Sequence, residues 1–184
     1  MITPDLVTER FVLACLDQQD VTESYLGWMI DPMVNRFLET RHRDHTLASL
    51  RAYVTELRAS SHSYFFGIFS KADSSHIGNI KLGPVSTVHR SAAIGLVVGE
   101  RSMWGKGAAT ESIAALTSWA FTDLELEKLT AGSYASNAAS VRAFQRCGFA
   151  VEGVQRSQVR LDDGTRDDVV LLGRTRSDSG EAAG

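Results

Sequence analysis

The chain has 184 residues, 43% of them apolar and 22% charged, which suits one globular domain with a real core. Its formal net charge of −3 argues against a general nucleic-acid surface, though not against a local basic pocket for a small polyanion. No apolar run approaches the roughly 20 residues that span a bilayer, no secretory leader is read, and Cys15 and Cys147 have no CxxC spacing, so a reduced cytoplasmic setting without a membrane partner is the expectation.

The predicted elements begin with an alternating strand over 8–16, "TERFVLACL". Asp20 is read as the cap of a first helix carrying Tyr25, Leu26, Met29 and Ile30, and Pro32 as its stop. Thr46 opens a second helix with Leu47, Leu50, Tyr53, Val54 and Leu57 at helical spacing. Segments 63–70, 76–85 and 92–100 follow, separated by turn-rich stretches, and read as an antiparallel meander. A third helix spans 108–123, with Ile113, Leu116, Thr117, Ala120 and Phe121 as its buried stripe. A strand over 128–135 leads to a helix over 138–147, which Gly148 ends as a left-handed cap. Two strands, 149–161 and 165–173, close the chain across "DDG". The order predicts an α/β (α+β) fold, a mixed and mostly antiparallel sheet of about seven strands flanked by about four helices. Residues 1–175 form one domain, and 176–184, small and polar, form a flexible tail.

The chemistry concentrates in "MWGKGAATESI". Gly105 and Gly107 let backbone N–H groups approach an anion without a Cβ in the way. The helix that starts at Ala108 aims its unpaired N–H groups and positive dipole end at the same place, and Lys106 adds charge at the rim. A Walker loop is excluded, since Gly105-Lys106 is followed by Gly and no glycine lies five residues earlier. A dinucleotide fingerprint is excluded, since Thr110 stands at its third glycine and an antiparallel meander precedes it. The strand before the loop carries Gly95 and Gly99, which suggest a bend that exposes backbone groups beside the helix start. An extended amide-containing ligand then pairs like an added strand. A phosphate cradle beside an open strand edge suits the pantetheine pyrophosphate of coenzyme A. Asn137 caps the helix that follows, and Ser140 and Phe144 lie one turn apart on it. No histidine lies in HExxH or similar spacing, so no metal is expected.

The pair "WGKGAATESI" and "SNAASVRAFQRCGF" resembles the GCN5-related N-acetyltransferases (GNAT), nearest their RimJ/RimL-like branch of amine and amino-sugar acetyltransferases. "TERFVL", "YLGWMIDPMVNRFLE" and "HIGNIKLGP" extend the resemblance over nearly the whole chain. It implies a GNAT fold, acetyl-CoA as donor and direct attack by an acceptor amine. Val97 and Val98 would offer backbone groups to pantetheine, one N–H polarising the thioester. Trp104, Gly105, Lys106, Gly107, Ala108, Ala109 and Thr110 would surround the pyrophosphate, and Asn137 the cofactor arm. The family's loop pattern, Q/R-x-x-G-x-G/A, has Ser102 in its first place here. Many members place a tyrosine seven residues after the asparagine, as acid for the departing thiolate; here that residue is Phe144. Ser140 is the substitute, as a hydrogen-bond donor to sulfur. Glu39, Glu100 and His89 are candidates to take the amine proton. Candidates for the acceptor pocket are Trp28, Asn35, Arg36, Glu39 and Arg41 from the helical segment, Asn79 and Lys81 from a strand that can turn only one face to it, and Tyr134. An amino sugar leads among acceptors, against polyamines and protein N-terminal amines; a non-catalytic acyl-CoA-binding module is the alternative from another class. Monomer and homodimer both remain open.

Overall fold

A computed structural model describes residues 3–179. Its elements, in chain order, are β1 (Leu6–Val7), β2 (Phe11–Cys15), α1 (Glu23–Ile30), α2 (Pro32–Asn35), α3 (Leu47–Ala59), β3 (Tyr64–Ser70), β4 (His76–Leu82), β5 (Ser91–Val98), α4 (Ala108–Thr122), β6 (Lys128–Tyr134), α5 (Ala138–Arg146), β7 (Ala150–Arg160) and β8 (Arg166–Thr175). The eight strands form one sheet in the order β1-β2-β3-β4-β5-β6-β8-β7. Every pairing is antiparallel except β5 with β6. The expected mixed sheet is present, with one more strand and one more helix than the periodicity suggested.

The extra strand, β1, precedes the first predicted strand: Thr8–Arg10, read as that strand's start, is a turn closed by Thr8 N–H on Phe11 O at 2.9 Å, across which Leu6 and Val7 pair with Leu13 and Val12. The extra helix arises at Pro32. Proline ends α1 but also sits in the first turn of α2, where its missing N–H costs nothing. Asp20 does not cap α1. It is locked in a reciprocal pair with Asp17 around a 3-10 turn, and Thr22 caps α1 instead. Ile30, one of the apolar residues read on that helix, is exposed. The tail reading falls partly on 180–184, which lie outside the described residues; Ser177–Ser179 form a 3-10 turn.

Helices cover both faces of the sheet. One core packs α4 and α5 against the strands through Phe11, Leu13, Phe66, Ile80, Ile113, Leu116, Phe121 and Phe144. Fully burying such side chains contributes roughly 1.5–3 kcal/mol each. A second core on the opposite face packs Leu16, Val21, Tyr25, Trp28, Leu50 and Val54.

Candidate active site

The site begins where the sheet opens. β5 and β6 pair only at Ser91↔Lys128, Ala92↔Leu129 and Ala93↔Thr130, and no pairing follows. The register of β5 on β4 is continuous, so the expected bulge at Gly95 is absent. The free backbone edge comes instead from divergence of two strands that are distant in sequence. Gly99 serves another purpose: a Cβ there would fall 2.0 Å from the Trp28 ring.

Hydrogen-bond alternation decides which backbone groups face the opening. Gly83 N–H donates to Ala93 O and Gly99 N–H to Ile77 O. Residues 93, 95, 97 and 99 are therefore the ones hydrogen-bonded to β4, and Ile94, Leu96 and Val98 turn theirs to the gap. On β6, Ala135 N–H donates to Asp168 O, so the odd residues serve β8 and Gly132 and Tyr134 face β5. This revises one expectation. Val98 presents its backbone to the gap, whereas Val97 is bound into the β4 ladder opposite Asn79.

A cavity of about 600 Å³ occupies the opening. Of the candidates named from sequence, Val97, Val98, Trp104, Gly105, Gly107, Ala108, Ala109, Thr110, Asn137, Ser140, Phe144, Arg36, Glu39 and Tyr134 line it. At one end, Gly105 (φ 72°) and Gly107 (φ 84°) adopt left-handed conformations that other residues reach only with strain. Gly107 is the N-cap of α4, and no side chain caps that helix. Its first N–H groups, at Ala108 to Thr110, border the cavity unpaired, so the helix dipole and free donors meet an anion there. A Cβ at Gly95 or Gly105 meets nothing within 4 Å. The Trp104 indole donates to Val98 O at 2.7 Å and fixes the loop on the strand end.

Asn137 accepts from Ser140 N–H at 3.3 Å as the cap of α5. Ser140 borders the cavity, whereas Phe144 is 2% exposed and packs edge-on to Phe149. Cys147 joins α5 to α4, its thiol donating to Thr110 O at 3.2 Å, and burial pushes that thiol up, away from reactivity.

On the other side of the sheet, the Tyr134 hydroxyl donates to Glu39 Oε1 and accepts from Arg41 Nη1 at 2.8 Å. Burial, then the Glu39 carboxylate, raise the Tyr134 pKa above its ordinary value, so the phenol stays neutral. Arg41 also donates to Leu38 O at 3.0 Å and Arg160 O at 3.0 Å, and pairs with Asp162 at 3.4 Å. It thus ties the segment before α3 to the β7–β8 turn.

Asn35, Arg41 and Lys81 do not line this cavity, and five further candidates do not reach it. Glu100 accepts from Ser102 N–H as cap of a 3-10 turn. His89 is exposed in the turn at the far end of β5. The Lys106 side chain is exposed, and its carbonyl accepts from Arg10 at 2.8 Å. Trp28 and Asn79 are buried in and beside the second core, where Asn79 Oδ1 lies 2.8 Å from His76 Nε2. Among the described residues no group of three His, Cys, Asp or Glu is arranged to hold a metal, and no helix is long and apolar enough to cross a membrane.

Sequence reasoning missed two contributions. Arg10 and Glu111 brace the cradle from behind: the guanidinium meets Glu111 Oε2 at 2.8 Å, and Thr8 Oγ1 donates to Glu111 Oε1 at 2.6 Å. Arg142 and Arg146 line the cavity from α5. Their four-residue spacing, on the face that carries Ala139 and Ala143, was readable as a basic stripe beside a phosphate site. Arg41 is an acceptor candidate from sequence, but its tie between the segment before α3 and the β7–β8 turn joins residues too distant in sequence for any local pattern to link.

Comparison with known proteins agrees with this architecture. The family model described as "Acetyltransferase (GNAT) domain" matches residues 10–150. "Probable N-acetyltransferase YjcK" of Bacillus subtilis (strain 168) is 30% identical over 131 residues, covering 69% of this chain and 72% of its own length. Two solved structures share the fold. The spermidine N-acetyltransferase of Vibrio cholerae, in complex with CoA and spermine, has a TM-score of 0.82 at 20% identity, covering 91% of this chain and 96% of that one. Mycobacterium smegmatis RimJ, in complex with CoA-disulfide, has a TM-score of 0.82 at 23% identity, covering 94% and 85%. The chain belongs to the GNAT acetyltransferase family and is an enzyme of the N-acetyltransferase class.

Proposed function

We propose that the cleft binds acetyl-CoA and that the enzyme moves the acetyl group directly to a primary amine of a small molecule, an amino sugar first among candidates. One observation carries the reading: the uncapped start of α4 and the two unpaired strand edges open onto the same cavity. The first is shaped for a pyrophosphate, the second for an amide-bearing arm. Arg142 and Arg146 add positive charge along the same wall. When bound, acetyl-CoA supplies an activated acyl thioester.

The chain's own residues then do the rest. Val98 N–H, facing the gap, is placed to polarise the thioester carbonyl. Glu39 attracts the incoming ammonium and takes its proton, directly or through one water, while the Tyr134 hydroxyl holds its other side. The amine nitrogen forms a bond to the acyl carbon, the carbon–sulfur bond breaks, and the thiolate leaves. Phe144 offers no proton, but a thiolate with a pKa of roughly 8.5 is a tolerable leaving group. Ser140 Oγ, on α5, is one hydroxyl on the cavity wall placed to hydrogen-bond it.

Titration calorimetry with acetyl-CoA, followed by thiol release on a panel of amines, tests the proposal. Submillimolar binding and amine-dependent thiol release are expected. Absence of binding at submillimolar concentration would overturn it.

A further inference from the structure

Glu39 and Tyr134 also border a second cavity, of about 470 Å³, so the two spaces meet at this pair. Its other walls are His42 and Arg41 from the segment before α3, and Gln155, Gln158 and Arg160 from β7. Their charges are not equivalent. The Arg41 side chain is 4% exposed and fully engaged, with Asp162 as its counter-ion. Arg160 contributes its carbonyl to that network, but its guanidinium has no hydrogen bond or ion pair among the described residues. The side chains of His42, Gln155 and Gln158 are likewise unengaged there. The cavity therefore holds one carboxylate, where it meets the cleft, while Arg160, exposed at its rim beside the β7–β8 turn, carries a free guanidinium.

Resting on the acetyl-transfer reading, the geometry points to an acceptor that carries an anionic group as well as its amine, a carboxylate or a phosphate, rather than to a polyamine. The amine meets Glu39, and the anion meets Arg160 and the neighbouring donors. A polycation finds one carboxylate here, already bonded by Tyr134, and a like charge opposite it, and that repulsion selects against it. A neutral amine leaves the Arg160 guanidinium without a partner and gains nothing from it.

The test uses matched pairs with acetyl-CoA. Glucosamine 6-phosphate is compared with glucosamine, 4-aminobutyrate with 4-aminobutyramide, and spermidine stands for the polycations. The charged member of at least one pair is expected to exceed its neutral partner by about tenfold in kcat/KM, the first pair identifying phosphate and the second carboxylate. Arg160→Gln abolishes that preference, while Arg156→Gln, exposed on the same strand outside the cavity, keeps it. Equal rates within both pairs, spermidine as the best acceptor, or a preference that survives Arg160→Gln would each overturn the inference. Titration of the same compounds into the protein loaded with CoA reads selectivity without turnover. Selective binding with no acetylation defeats the acetyl-transfer reading and leaves this one standing; acetylation without selectivity does the reverse.

Discussion

An ammonium must lose a proton before its nitrogen attacks a thioester, so a carboxylate matters only where the two can meet. Glu39 lies where both cavities touch, whereas Glu100 is occupied in capping a turn outside them. Glu39→Gln is expected to lower kcat by about a hundredfold with acetyl-CoA affinity kept, and Glu100→Gln by less than about twofold. Equal losses in the two variants, measured by thiol release, would remove Glu39 from the proton path. Glycine at position 95 permits an equally direct test of the cleft. Its backbone lies outside the left-handed region, and a Cβ there meets open space. Gly95→Trp therefore fills the cavity without backbone strain. Calorimetry is expected to show acetyl-CoA affinity reduced by at least roughly tenfold, while the Tm moves by no more than about 2 °C. Unchanged affinity would place the donor elsewhere. Gly107→Trp is the poorer probe, because φ of 84° and the Arg10 guanidinium 3.1 Å from its Cβ position would disturb the fold as well.

The start of α4 is a donor-rich end with no cap of its own, so something must hold it open. Arg10 and Thr8, beside β2, do so through Glu111 in the first turn of the helix. Burial pushes the Glu111 pKa up, but hydrogen bonds from Thr8 and Arg10 and the guanidinium charge outweigh it and hold the carboxyl below its ordinary value. The stability this adds is present above the ordinary glutamate range and is lost as pH falls through the lowered native value. Its size is of the order of 1 kcal/mol, since the Arg10 side chain is nearly half exposed and screened. Glu111→Gln should flatten the acid side of a Tm-against-pH profile and weaken acetyl-CoA binding by roughly threefold. An identical profile would show that the brace is inert. Such contacts were not legible beforehand, because Arg10 and Glu111 are joined only by the folded sheet. What was legible is local. Periodicity gave α4 nearly to the residue and the start of α3, and the glycine loop announced its own conformation. Asp20 and Thr22 are both good caps, and only the turn that consumes Asp20 decides between them. The opening of the sheet is a relation between strands far apart in sequence, so Gly95 hinted at a free edge for a reason the register does not support.

The described residues form a sheet with a core on each face, and the two cores are expected to respond differently to acid. The one around α4 and α5 is almost entirely apolar. The one around α1 and α3 adjoins a largely buried imidazole, His76, packed among Tyr25, Trp28 and Phe69. Its Nε2 faces Gly78 O at 3.0 Å and Asn79 Oδ1 at 2.8 Å, while Nδ1 is buried without a partner. Burial lowers the His76 pKa, against opposing contributions from Asn79, Gly78 and the Asp20 carboxylate, so the native ring is neutral near pH 7. Unfolding returns it to the ordinary range near about 6.5. Between that value and the lowered native one the unfolded chain binds the extra proton, so stability declines as pH falls through this window and is fully retained above it. The sign is testable by melting at pH 7.5 and 5.5. His76→Phe should lose less Tm between the two than the parent protein does, whatever its stability at pH 7.5. A difference between pH values unchanged by the substitution would assign the acid sensitivity to the carboxylates instead. Since Trp28 packs directly against both His76 and the turn at Gly99, where β5 ends beside the cleft, acid loss is expected to loosen the acceptor side of the sheet first. Hydrogen exchange at pH 5.5 should then show α1 opening before α4.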